Sequence, residues 1–178
     1  GGFPMAGSFG VVGCGYVGSA SAHHFRHLGL EVIGTTTTPS RLQELCDLVD
    51  HPRIYRAGDT GSDVSFLESL DGLLIAMAPT SVSMEDYQYS AFYGTGVASL
   101  VEAIKSRQSE SPLHVSYLSS AGVYGNQLGA VCYESTPTDR SNTANALLAD
   151  AEEAVLSLNG FGTSTCVLRL GGIYGPNK

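Results

Sequence analysis

Six residues near the start constrain this chain more than any others. Gly13-Cys14-Gly15-Tyr16-Val17-Gly18 has the spacing G-x-G-x-x-G. It lies between a short apolar run, Phe9 to Gly13, and a segment carrying Val17, Ala20, His24 and Leu28 at helical intervals. A strand, a tight turn and a helix in that order open a dinucleotide-binding unit, and each glycine has a physical reason to be there. Gly13 permits the turn, Gly15 lets the backbone approach a pyrophosphate, and Gly18 lets the helix pack on the sheet, while free N–H groups at the helix start face the anion. In a glycine-rich chain the spacing also arises by chance, so the strand-turn-helix context carries the inference.

The alternation continues along the chain. Glu31 to Thr35 reads as a second strand, and Pro39 starts a helix running to about Cys46. A weaker third strand is expected at Arg53 to Arg56 and a short helix at Asp63 to Leu70. Gly72 to Ala78 is apolar on both faces, as central parallel strands are, and Pro79 stops it. A long helix over Met84 to Arg107, a fifth strand over Leu113 to Ser119, a helix over Ser141 to Leu158 and a sixth strand over Thr163 to Leu170 complete the series. This pattern predicts a doubly wound α/β fold, a parallel sheet of six or more strands with helices on both faces. The irregular stretch from Gly122 to Arg140 is long for a mere connection and sits where such folds bind ligands.

Composition narrows the function classes. With 43% hydrophobic and 15% charged residues the chain is too apolar to be disordered. Nine Lys and Arg against 17 Asp and Glu, a formal charge of −8, leave no basic footprint for nucleic acid or an anionic membrane. Cys14, Cys46, Cys132 and Cys166 form no C-x-x-C pair and follow no secretory signal, which fits a cytoplasmic or organellar stroma or matrix protein that is not secreted. Gly1–Pro4, ahead of Met5, read as residues left by cloning, which puts the dinucleotide-binding domain at 5–178.

The second strand would end in Asp or Glu if the cofactor's adenosine ribose carried a free 2′-hydroxyl. Here it ends Gly34-Thr35-Thr36-Thr37-Thr38, with Arg41 shortly after, where a guanidinium can meet a 2′-phosphate. NADP is therefore expected in preference to NAD.

Gly58-Asp59, Ala76-Met77-Ala78, Gly94-Thr95, Ser119-Ser120-Ala121-Gly122-Val123-Tyr124-Gly125 and the run Arg169 to Pro176 (RLGGIYGP), together with the glycine turn, resemble the extended short-chain dehydrogenase family, the NAD-dependent epimerase/dehydratases. The resemblance implies that Asp59 sits by the adenine and that Ala76, Met77 and Ala78 line the cofactor, beside Gly13, Gly15, Tyr16, Val17, Gly18, Thr35, Thr36, Arg41 and Ser119. Ser120, four residues before Tyr124, matches the family's catalytic Ser or Thr, whose hydroxyl hydrogen-bonds the substrate oxygen.

The family also carries Tyr-x-x-x-Lys on the helix after the fifth strand, where the Tyr exchanges a proton and the Lys lowers its pKa. Counting between Glu134-Pro137 and Glu152-Glu153 places Ala144 and Leu148 at those positions. The chain's only lysines, Lys105 and Lys178, do not replace the pair. Two readings follow. One is an oxidoreductase or sugar-modifying enzyme acting on a sugar or sugar nucleotide, with Ser120 polarising the substrate and Tyr124, or a residue outside the family's usual position, handling the proton. The other is a non-catalytic sensor or binding protein that holds NADP. The resemblance implies that the family's C-terminal substrate lobe would be largely missing from this sequence, and the sheet edge this would uncover is expected to favour a homodimer.

Overall fold

A computed structural model describes residues 7–77, 90–160 and 162–176. Six strands form one parallel sheet in the order β3-β2-β1-β4-β5-β6: β1 (Ser8–Val12), β2 (Glu31–Thr36), β3 (His51–Ile54), β4 (Gly72–Ile75), β5 (Leu113–Ser120) and β6 (Thr163–Leu170). The order reverses between β1 and β4, and in open parallel sheets that switch point opens a crevice at the carboxyl ends of the strands.

Helices cover both faces of the sheet. Helix α1 (Tyr16–His27) and helix α2 (Leu42–Leu48) pack on one face, where Val11, Val32 and Leu74 meet Ala22, Leu45 and Val49. Helix α3 (Val97–Lys105) and helix α4 (Thr143–Leu156) pack on the other, around Val12, Leu73, Ile75, Val115 and Tyr117. Among the described residues no helix is long and apolar enough to cross a membrane.

Several expected boundaries move. The third strand lies two residues earlier than expected. Tyr55 N–H still donates to Thr36 at 3.1 Å, so by alternation Pro52 falls on the open edge, where a missing N–H costs no ladder bond. The helix expected from Pro39 begins as a 3₁₀ turn over Pro39–Arg41 and becomes α-helical at Leu42. The short helix expected at Asp63 to Leu70 is a 3₁₀ turn over Ser65–Ser69. In the long helix after β4, a π-helical segment over Ser90–Gly96 leads into α3. Its expected first turns, like Ala78 and Pro79, lie outside the described residues.

Candidate functional site

The crevice is a cleft of about 900 Å³ at the carboxyl ends of the strands. The glycine turn forms its floor. Gly13 has φ +94°, and a Cβ there would stand 3.0 Å from Ala76 O and Met77 N, so both conformation and space demand glycine. Gly18 is needed for a different reason: a Cβ there would come within 2.0 Å of Gly13 O as α1 crosses the turn. Gly15 is unlike either, because among the described residues a Cβ at that position would meet nothing within 4 Å.

Two bonds tie the turn to the end of β2. Gly13 N–H donates to Thr35 Oγ1 at 3.1 Å and Cys14 N–H to Thr35 O at 2.8 Å, so the buried Thr35 side chain is spent on holding the turn. Thr36 Oγ1 accepts from Thr38 N–H at 3.2 Å. The Cys14 thiol is buried beneath the turn, and that burial pushes its pKa up to about 11. Desolvation outdoes the hydrogen bond from the Thr35 backbone and the nearby Arg41 charge, both of which pull the pKa down.

Gly13, Gly15, Tyr16, Val17, Thr35, Thr36, Arg41, Ala76, Met77, Ser119 and Ser120 line the cleft together. Gly18 lies directly under it. Asp59 and Tyr124 are not among the described lining residues, and Ala78 lies outside the described residues. The Asp59 carboxylate caps its own turn, accepting from Gly61 N–H at 2.9 Å. Tyr16 Oη donates to Pro176 O at 3.1 Å, which draws the segment after β6 across the start of α1.

Two guanidinium groups border the threonine loop. Arg41 lines the cleft with its Nε and Nη2 directed to Glu44 at 3.3 Å each, and its Nη1 donates to Cys14 O at 3.2 Å. Arg56, at the end of β3, lines the same part of the cleft and donates from Nε to Thr37 O at 3.2 Å. Sequence reasoning missed Arg56. Its position just past a strand's carboxyl end was the available signal.

At the other end of the cleft the polar groups bind one another. Ser119 Oγ donates to Glu152 Oε1 at 2.5 Å, and Glu152, 3% exposed, pairs with Arg169 Nη2 at 2.7 Å. Arg169 Nη1 donates to Tyr124 Oη at 2.8 Å, and that hydroxyl donates to Tyr133 O at 2.9 Å. The bond to Glu152 holds the guanidinium above its already high range. This network also escaped the sequence reading. A lone arginine in the apolar strand TSTCVLRL and an acid four residues after Leu148 were its traces.

Ser120 is oriented differently. Its Oγ accepts from Gly122 N–H at 3.0 Å and lines the cleft, leaving the hydroxyl proton for an acceptor there. Leu148 is an apolar part of the same wall.

The chain matches the model of the NAD dependent epimerase/dehydratase family over residues 11–178. A search of curated proteins finds no match. Among solved structures, a conserved protein of unknown function from Silicibacter pomeroyi is 25% identical with a TM-score of 0.69, over 96% of this chain and 55% of that one. UDP-glucuronic acid 4-epimerase from Bacillus cereus, solved with NAD, is 20% identical with a TM-score of 0.75, over 96% of this chain and 58% of that one. MoeE5, solved with UDP-glucose and NAD, is 21% identical with a TM-score of 0.77, over 97% and 56%. The chain thus spans little more than half the length of these structures. By its family match and its six-stranded parallel sheet, the chain belongs to the NAD-dependent epimerase/dehydratase family.

Proposed function

We propose that this chain binds NADP across the Gly13–Gly18 turn and belongs to an oxidoreductase or epimerase acting on a sugar or sugar nucleotide, one whose proton chemistry does not run through a Tyr-x-x-x-Lys pair. One observation carries the binding claim: Gly15, the N-cap of α1, faces open cleft, and among the described residues no atom would crowd a Cβ there. A cradle that a Cβ would fill suits a pyrophosphate on the N-terminus of α1. The absence of a carboxylate at the end of β2 and the guanidinium groups beside it favour the 2′-phosphorylated cofactor. The sugar-nucleotide direction draws on the family and on the UDP-sugars in the related structures.

When bound, the nicotinamide would supply hydride exchange with an alcohol or carbonyl carbon. The chain's own contribution is then positional. Ser120 donates to the substrate oxygen, Leu148 and Met77 exclude water, and Tyr124 handles a proton only after releasing Tyr133 O. A second reading, a binding protein in which NADP is a structural ligand, is favoured by Leu148 standing in the cleft wall where an ammonium would be needed. Calorimetric titration with NADP and NAD, followed by NADPH oxidation across a panel of sugar carbonyls, tests both readings. Tighter NADP binding with slow turnover that is lost in Ser120→Ala supports the enzyme, and tight binding with no turnover supports the binding protein. Equal or NAD-favoured affinity overturns the cofactor assignment.

A further inference from the structure

Two guanidinium groups border the threonine loop, but they are not equivalent. Arg41 is committed: both nitrogens of one edge face the Glu44 carboxylate, and the remaining Nη1 reaches the Cys14 carbonyl. A ligand phosphate arriving there meets a charge already neutralised, with a carboxylate beside it. Arg56 has no such partner. Its guanidinium donates to the neutral Thr37 carbonyl, and among the described residues no carboxylate forms an ion pair with it.

Arg56 is also well fixed for recognition. Tyr55 N–H extends the β2–β3 ladder to Thr36 O at 3.1 Å, so the chain enters position 56 in register with the threonine loop. Ser62 then clasps the backbone of Arg56 on both sides, its Oγ accepting from Arg56 N–H at 3.1 Å and donating to Arg56 O at 3.2 Å. The Nε bond to Thr37 O holds the guanidinium against the loop that follows β2, where this fold class places the adenosine ribose.

We propose that Arg56, and not Arg41, is the specificity-determining residue for the ribose 2′-phosphate. This rests on the NADP reading above. Arg41 serves instead as a positioning residue that ties the start of α2 to the glycine turn through Cys14 O.

Binding of 2′,5′-ADP and of 5′-AMP, which differ by the phosphate in question, tests the assignment by calorimetry. The intact chain is expected to bind 2′,5′-ADP at least tenfold more tightly, because a charge-assisted bond to phosphate is gained. Arg56→Gln is expected to remove most of that ratio while leaving 5′-AMP binding within about twofold, since a single exposed charge has been lost. Arg41→Gln is expected to weaken both probes together and keep the ratio. If the intact chain shows the preference and Arg56→Gln retains it, this assignment is overturned and the NADP reading stands. If the intact chain does not prefer 2′,5′-ADP, both fall.

Discussion

The two ends of the cleft have been treated differently by this sequence. At the proposed phosphate end the glycine turn is in place, and open groups face the cleft: Gly15, the start of α1, and Arg56 beside the threonine loop. At the far end the polar side chains satisfy one another. Ser119, Glu152, Arg169 and Tyr124 form one chain of bonds, Leu148 presents a methyl surface, and Ser120, outside that chain, lines the cleft. Binding and chemistry are thus separable properties of one crevice. The first depends on backbone geometry, which glycines secure. The second depends on a few side chains that can be exchanged without disturbing the sheet.

Substitutions that attack each end sharpen the contrast. The largest effect on stability is expected at Gly18, where a Cβ would sit 2.0 Å from Gly13 O, a backbone atom that cannot move without opening the turn. Gly18→Val should cost about 3 kcal/mol or more and lower Tm by roughly 6–12 °C, read by thermal unfolding. An unchanged Tm would show that α1 is free to shift away from the turn.

A somewhat smaller loss is expected at the far end. Glu152→Gln leaves the Arg169 guanidinium without its counter-charge and takes the ionic acceptor from Ser119. Breaking a buried pair from one side costs about 3 kcal/mol. Hydrogen exchange should localise the opening to β6 and to the segment around Tyr124 and Tyr133, while NADPH affinity stays within about threefold because the phosphate end is untouched. Loss of cofactor binding in this variant would mean that the two ends are coupled.

The fold was legible because its signals are local and repeated: apolar runs, helical periodicity, and Gly and Pro punctuation at the ends of elements. The glycine turn was legible to single residues, since Gly13 and Gly18 do what their spacing implies. Strand β3 was misplaced because Pro52 argues against a strand until its edge position is known. Arg56, Glu152 and Arg169 were invisible as site residues because their roles depend on partners 19, 33 and 17 residues away, and periodicity carries no such information. Tyr124 stood out in the motif, yet its hydroxyl turns to Tyr133 and Arg169, a direction that only the packed loop determines.

The most direct test of this separation is an NADPH fluorescence titration of Gly15→Val beside the unaltered chain, with thermal unfolding recorded on both. Among the described residues no atom lies within 4 Å of a Cβ at Gly15, so folding should lose only the preference for glycine at the N-cap of α1, about 1 kcal/mol, in contrast to Gly18 three residues on. A branched side chain there would occupy the space of the pyrophosphate, and binding should fall by about 100-fold or more. A Tm lowered by no more than about 4 °C with binding abolished is the predicted result. NADPH binding to Gly15→Val with unaltered affinity would contradict the account, because Gly15 would then be open for some reason other than the cofactor.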